Sequence, residues 1–449
     1  MSLQDCALAT DLYELTMAAA YFDNKETSKA TFELFARSYP RNRSYLVAAG
    51  LEQAIAYLSK LRFDEEQIAF LRDHPSFVNV SEGFFDYLRK FSFTGDVWAI
   101  PEGTVFFKNE PILRVTAPII EAQILETYLL SVINFQTLIA TKASRIVQSA
   151  RGRGVVEFGA RRSHGPEAAI LAARASYIGG CVGTSNVLAG YLFGIPTYGT
   201  MAHSFIMNYD SEEEAFKRFC KIFPTNPAVL LDTYDTLEGA QKVVSMGLAP
   251  SLVRLDSGDR FALSKKVRHI LDRAGLKDTK IFVSGDLNEL IIDDLTRRNA
   301  PIDSFGVGTE LVTSRDDPAL PGIYKLVSVE KNGETIYRVK TSEGKGTLPG
   351  AKQIYRRYSK GRNFLNDVLA LANENPPSDT VPLLIEVCRE GKCVYDMPDL
   401  GAIRNHAKEE IARLPAKYKR LKGSVEAPVR LSSKLNHLTN SLWKLHNRS

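Results

Sequence analysis

Leu252-Val-Arg-Leu-Asp-Ser-Gly-Asp259 is the stretch on which the reading of the second half of the chain turns. Its first four residues form a short apolar run, and Asp-Ser-Gly-Asp then makes a polar turn able to cap a helix over 260–274. The same unit recurs on both sides, with apolar runs at Val155–Phe158, Ile195–Tyr198, Val229–Leu231, Ile281–Val283 and Ile302–Phe305 and helical stretches between them. This alternation predicts parallel strands. Six units without a dinucleotide fingerprint favour an irregular (β/α) barrel over an open sheet. A long helix over 119–150 leads into the series, which places the barrel domain at 117–319.

Upstream, apolar residues at helical spacing over 8–22 follow Thr10 and Asp11, two candidate caps, and the first turn of this helix presents Tyr13. Ala30–Arg37 alternates like a strand and ends on Arg37. Helices are expected near 48–60, 65–73 and 81–90, and strands over 93–115. Downstream, Ile323–Val329 and Thr335–Lys340 flank Asn332-Gly333, a hairpin signal. A glycine- and lysine-rich loop over 340–350 and a strand at Gln353–Arg356 follow. The expectation is an N-terminal α/β (α+β) domain, residues 1–116, completed by the hairpin region 320–360, and a mainly helical segment over 361–449.

The last 49 residues hold 11 Lys or Arg against three Glu. Without interleaved aromatics this reads as a solvated helical surface, so no nucleic-acid partner is expected. The net charge of +5 over 449 residues decides little. No apolar run approaches the roughly 18 residues of a membrane span, and no leader-like segment opens the chain, so a cytoplasmic protein without a membrane partner is expected. Five scattered cysteines without a CxxC pair argue against a disulfide framework or a cysteine zinc site, and Cys388 and Cys393 read as structural.

In a barrel the chemistry lies just beyond the C-terminal strand ends. Those positions carry Glu157-Phe-Gly-Ala-Arg161-Arg162, Gly199-Thr-Met-Ala-His203-Ser204, Asp232-Thr-Tyr-Asp235, Arg254-Leu-Asp256-Ser-Gly-Asp259, Ser284-Gly285-Asp286 and Gly306-Val-Gly308-Thr-Glu310. Arginine beside a glycine turn suits phosphate or carboxylate, because its fork donates two parallel hydrogen bonds. Gly285, Gly306 and Gly308 let backbone N–H groups approach an anion. The aspartates suit ribose hydroxyls or magnesium, and Phe158 offers a face for a flat ring. His203, among small residues, can act as base, nucleophile or phosphate carrier. The collective reading is a pocket for an anionic, ring-bearing, phosphorylated small molecule; no standard ATP-binding loop is present.

Thr10-Asp-Leu-Tyr-Glu-Leu-Thr-Met17, Phe158–Arg162, Gly183-Thr-Ser-Asn186, Gly199–Ser204, Asp232–Asp235 and Arg254–Asp259 stand in the order and form of the nicotinate phosphoribosyltransferases, and from about residue 7 to 360 the chain resembles that family. The resemblance implies the type II phosphoribosyltransferase architecture and a homodimer with shared active sites. It implies synthesis of nicotinate mononucleotide from nicotinate and phosphoribosyl pyrophosphate, with Mg²⁺ and with ATP as co-substrate. His203 would then carry the phosphoryl group, with Ser204 beside it. Phe158 and a partner's Tyr13 would sandwich the pyridine. Arg254 would face the nicotinate carboxylate or the phosphoribosyl group, and Arg161 the 5′-phosphate. Gly285, Gly306 and Gly308 would hold phosphates, and Asp232 and Asp256 would lie near ribose or Mg²⁺, whose ligands stay unassigned. Arg37, Lys325, Lys340 and Lys345 would neutralise pyrophosphate, some of them in trans. Ser185 stands where the nicotinamide-using cousin has aspartate, which implies preference for the acid. The rivals are a nicotinamide- or quinolinate-using enzyme of the same fold and a catalytically inactive nucleotide-binding barrel.

Overall fold

The computed structural model describes residues 7–225, 227–342 and 346–446. The chain divides into two compact units, Met1–Leu138 with Ala319–Ser449, and Ile139–Pro318. The first boundary thus lies some way past the expected 116/117. The cause is burial, since Ile119, Ile124, Val132, Ile133 and Leu138 all join the first unit's apolar core.

The first unit is built on a seven-stranded antiparallel sheet. Its strands run, edge to edge, Glu334–Tyr337, Gly322–Lys331, Lys29–Ala36, Pro111–Pro118, Asp96–Ala99, Ile385–Arg389 and Lys392–Cys393. The hairpin expected at Asn332-Gly333 is present, with both residues left-handed (φ 53° and 78°), as a two-residue turn of matching twist requires. Helices Leu12–Asp23, Leu51–Lys60, Glu65–Asp73 and Glu82–Arg89 stand close to their expected places. The single helix expected over 119–150 is broken at Leu125 into Ile119–Ile124 and Glu126–Ser149.

The tail departs from expectation. Residues 361–449 are not mainly helical: Phe364–Leu371, Thr380–Pro382, Ile385–Arg389, Lys392–Cys393 and Val429–Leu431 are strands, and only Leu400–Arg413 and Ser433–His446 are long helices. The tail belongs to the first unit: Ile385–Arg389 extends the main sheet and Phe364–Leu371 pairs with Lys352–Tyr358 in a second, four-stranded sheet. Its anchor is Arg356, fully buried, whose guanidinium grips Asp367 with two bonds (2.9 and 2.7 Å) and Glu410 with a third (2.9 Å). Strand pairing of this kind is decided by distant partners, which a basic local composition does not reveal.

The second unit carries the parallel sheet, in the order Gly183–Thr184, Gly154–Glu157, Ser304–Val307, Lys280–Val283, Leu252–Leu255 and Ala228–Leu230. The last strand returns beside the first (Phe305 opposite Val155), and helices Pro166–Ile178, Thr236–Ser245, Arg260–Arg273 and Glu289–Arg297 fill the connections. This is the barrel wall, and it is irregular at one place. The strand expected at Ile195–Tyr198 is reduced to a bridge between Thr197 and Thr184, and among the described residues no ladder joins that end to Ala228–Leu230. The last strand runs to Val307, two residues beyond expectation, so Gly306 lies inside it.

Candidate active site

The C-terminal ends of the parallel strands surround a cavity of about 790 Å³ within the second unit. Of the anticipated residues, Phe158, Arg161, Ser185, Arg254 and Asp256 line it, as do Gly285, Gly306 and Gly308.

Arg254 is its centre. The guanidinium is held on three sides: Nε donates to Ser284 Oγ (2.8 Å), Nη1 to Thr200 Oγ1 (2.9 Å) and Nη2 to Asp256 Oδ1 (2.6 Å). It sits 5.8 Å from the centre of the Phe158 ring. The Ser284 hydroxyl donates to the same Asp256 oxygen. Burial works to raise the Asp256 carboxyl, but the Ser284 hydroxyl, the Arg254 guanidinium and His203 outweigh it and hold Asp256 below its ordinary range. The pair is therefore a fixed cation beside a fixed anion.

The motif opening this account separates into two jobs. Asp259 caps the helix, its Oδ1 accepting from the Phe261 and Ala262 amides (3.1 and 3.0 Å), while Asp256 faces the cavity. Asp232 does not line the cavity. Its Oδ2 accepts from the Asp256 amide (2.9 Å) and the Ser257 hydroxyl (2.6 Å), so it holds the Asp256 turn from behind. Its Oδ1 is buried without a hydrogen-bond partner.

Glu157, fully buried at the end of its strand, stands in the strand-end set without an expected role. One carboxylate oxygen accepts from the Gly159 amide and the other from Thr184 Oγ1 (2.5 Å), while its carbonyl accepts from the Ser185 amide (2.9 Å). Glu157 thus ties the Phe158-Gly159 turn to the Thr184-Ser185 turn. Its position between a strand and a glycine turn was the available signal. Burial raises its pKa above the carboxylate norm.

The glycines differ in purpose. Gly285 has φ +82°, and a Cβ there would lie 1.9 Å from the Asp256 carbonyl oxygen; Arg260 Nη2 donates to the Gly285 carbonyl (2.6 Å) and fixes the turn. A Cβ at Gly306 would meet Phe282 at 2.7 Å and Phe158 at 2.9 Å, so Gly306 makes room for the aromatic platform as well as bordering the cavity.

His203 opens the helix His203–Met207, and Nδ1 lies 3.2 Å from Thr233 Oγ1. Its preceding turn, Gly199–Ala202, lines the cavity, whereas His203 and the exposed Ser204 do not. Arg162, Arg315, Asp286 and Glu310 line it without having been assigned roles. Arg315 lies beyond the short helix Thr309–Val312, out of reach of strand-end logic, and is 3.6 Å from Glu310. Arg161 and Arg162 have no ion-pair partner among the described residues, which leaves two cations for a ligand.

Other anticipated residues belong to the first unit. Tyr13 stands exposed on the first turn of Leu12–Asp23, and burial of its hydroxyl together with Glu126 and Glu14 pushes its pKa up. Lys325 Nζ lies 3.7 Å from Glu126. Arg37 follows the strand Lys29–Ala36, and the Lys340 backbone bonds Thr347 in both directions. Lys345 lies outside the described residues.

Among the described residues no three His, Cys, Asp or Glu side chains gather as metal ligands. Asp256, Asp286 and Glu310 are the carboxylates at the cavity, oxygen donors of the kind a hard cation takes. Together the cavity offers a ring platform, a clamped arginine, two free arginines and left-handed glycine backbone.

Comparison with known proteins agrees with this chemistry. Residues 8–134 match the nicotinate phosphoribosyltransferase N-terminal domain, 139–316 the quinolinate phosphoribosyl transferase C-terminal domain, and 376–439 the nicotinate phosphoribosyltransferase C-terminal domain. A nicotinate phosphoribosyltransferase of Mycobacterium tuberculosis is 45% identical over 437 residues, covering 96% of this chain and 92% of that protein. One from Bacillus subtilis is 38% identical over 477 residues, covering 98% and 95%. The crystal structure of human nicotinic acid phosphoribosyltransferase superposes with a TM-score of 0.86 at 28% identity, covering 96% of this chain and 99% of that one. The nicotinate-nucleotide pyrophosphorylase of Pyrococcus furiosus superposes at 0.74 with 27% identity, covering 91% and 96%. No described helix is long and apolar enough to cross a membrane.

Proposed function

Because this chain belongs to the nicotinate phosphoribosyltransferase family, we propose that it joins nicotinate to phosphoribosyl pyrophosphate, releasing nicotinate mononucleotide and pyrophosphate in NAD salvage, with ATP hydrolysis coupled through a phosphohistidine at His203. The observation that carries the reading is Arg254, fixed by Thr200, Ser284 and Asp256 beside the Phe158 ring. A flat ring lying on Phe158 brings its carboxylate to a guanidinium whose orientation is already set, so little is lost in ordering it.

The pyridine nitrogen forms a bond to C1′ of the ribose as the bond from C1′ to the pyrophosphate oxygen breaks. Positive charge develops on the sugar and negative charge on the leaving group. Arg161 takes the 5′-phosphate, the Gly285 and Gly308 backbones approach phosphate oxygens, and Asp256 stabilises the cationic sugar. Arg37, Lys325, Lys340 and Lys345, some of them from the partner subunit, would neutralise the departing pyrophosphate. Mg²⁺, held by Asp256 and Asp286, would supply charge neutralisation on the leaving group. In the ATP half-reaction one imidazole nitrogen of His203 accepts the γ-phosphoryl group as ADP leaves, with Ser204 as a donor to it. Thr233 at Nδ1 leaves Nε2 for that transfer.

Ser185 sets the choice of acid over amide, since an aspartate there would repel the nicotinate carboxylate. The quinolinate phosphoribosyl transferase C-terminal domain matches residues 139–316, whereas 8–134 and 376–439 match the terminal domains of nicotinate phosphoribosyltransferase, which favours nicotinate over quinolinate as substrate. The active unit is a homodimer in which Tyr13 serves the partner's ring site. In support, helix Val187–Phe193 exposes Val187 (76%), Leu188 (50%), Tyr191 (84%) and Leu192 (54%), an apolar face that a second copy would cover. Tyr191→Lys should shift the mass seen by light scattering from dimer to monomer.

The deciding experiment measures nicotinate mononucleotide formation with and without ATP, together with ³²P transfer from γ-labelled ATP to wild type and His203→Ala. Expected are ATP-stimulated synthesis, label on the wild type and none on the variant. Absence of synthesis would refute the assignment, and equal ATP stimulation in His203→Ala would refute the phosphohistidine.

A further inference from the structure

Away from the cavity, Cys388 and Cys393 face one another across a hairpin of the first unit. They are Cα partners in antiparallel register, with Arg389 opposite Lys392. The turn between is Glu390-Gly391, both left-handed at φ 48° and 74°, the two-residue form that keeps flanking strands in register. One pair further out, the Val394 amide donates to the Val387 carbonyl (3.0 Å). Hydrogen-bonded and non-bonded pairs alternate along an antiparallel ladder, so Cys388 and Cys393 occupy a non-bonded pair. Such residues have Cα atoms about 4.5 Å apart, inside the roughly 4.4–6.8 Å range that a disulfide spans.

The hairpin is held in this register from outside. The Glu390 amide donates to Asp96 Oδ1 (2.8 Å), the Gly391 amide to the Gly95 carbonyl (2.8 Å), and Ile385–Arg389 is laddered to Asp96–Ala99. Both residues are free thiols; Cys388 is buried and Cys393 is exposed, its Sγ donating weakly to the Tyr395 carbonyl (3.4 Å). An oxidant therefore reaches Cys393 first, with Cys388 already opposite it.

We propose that Cys388 and Cys393 form a reversible disulfide that closes this hairpin when a small-molecule disulfide is the oxidant. The Cys393 thiolate attacks one sulfur of the oxidant and releases one small thiolate. Cys388, whose thiol pKa is raised by burial, passes its proton to the small thiolate just released, attacks Cys393 Sγ and releases the second. Two protein thiols become one disulfide, and one small disulfide becomes two thiols. Their shared position on one ladder separates this pair from the scattered Cys181 and Cys220.

The test incubates the full-length protein with oxidised glutathione, blocks remaining thiols, and maps non-reduced tryptic peptides. Cleavage after Arg362, Arg389, Lys392 and Arg404 isolates one peptide ending in Cys388-Arg389 and one beginning at Cys393. Expected is a species joining these two, absent after reduction and absent in Cys393→Ser. Alkylation of both thiols, a glutathione adduct on Cys393 without the link, or linkage through another cysteine would each overturn the proposal. The measurement rests on the wild-type chain, so a variant that fails to fold does not affect it.

Discussion

Replacing Gly285 by alanine should separate two costs that a left-handed glycine can carry. At φ +82° any L side chain is strained by about 1–2 kcal/mol. The added Cβ would also lie 1.9 Å from the Asp256 carbonyl oxygen, where approaches under 3.0 Å essentially never occur. Relief demands a movement of about 1 Å, and overpacking of this kind costs about 1–3 kcal/mol. The yielding atom is backbone, and its residue bears the carboxylate that fixes Arg254, so the shift passes into the ring-and-carboxylate site. A displacement of about 1 Å at a reacting centre corresponds to roughly 100-fold in rate. Gly275→Ala is the control, because Gly275 has φ +78° with nothing within 4 Å of its Cβ position. The assay compares kcat/KM for nicotinate at saturating phosphoribosyl pyrophosphate, with thermal unfolding recorded alongside. Gly285→Ala should lose about two orders of magnitude in kcat/KM, and Gly275→Ala should lose only stability. If Gly285→Ala stayed within about threefold of wild type, or Gly275→Ala lost activity equally, coupling of the Gly285 turn to Arg254 would be wrong.

Arg254→Lys keeps the charge but cannot reproduce the three-sided clamp, and a loss of about 2 kcal/mol, roughly 30-fold in kcat/KM, is expected in steady-state kinetics. Ser185→Asp should lower kcat/KM for nicotinate about tenfold or more and raise it for nicotinamide; an unchanged ratio would remove Ser185 as the selector. Glu157→Leu strands the Gly159 amide and should raise KM for nicotinate about tenfold, whereas Glu157→Gln, which keeps an acceptor for that amide, should lie near wild type. Burial holds the Glu14 carboxyl up at about 7 against an ordinary 4.5, despite hydrogen bonds from Thr10 and Thr127. The folded chain therefore binds this proton more tightly than the unfolded chain, so the contribution is full below pH 4.5 and is lost as pH rises through about 7. Urea midpoints should fall over that window in wild type, and Glu14→Gln should lack that component of the fall.

Residues 252–259 show how far local sequence reaches. The apolar run, the turn and the Asp259 cap are all decided within a few residues, by side-chain periodicity and by a carboxylate accepting amides two and three positions ahead. The left-handed turn at Asn332-Gly333 is legible for the same reason, and so were the strand-end residues Phe158, Arg161, Arg254 and Asp256 that line the cavity. The rest is non-local. Arg254 is clamped by Thr200 and Ser284, 54 and 30 positions away, and Asp232 supports Asp256 from 24. At Gly306 the rings of Phe282 and Phe158, from distant segments, leave no room for a side chain. The tail's strands exist because Lys352–Tyr358 and Asp96–Ala99 leave ladder partners open for them. Sequence alone determined the residue types and, to within a residue or two, five of the six strand ends beside them. Which side chain fixes which was decided by burial and pairing between segments far apart in the chain, because a hydrogen bond across the barrel depends on tertiary distance and leaves no local periodicity behind.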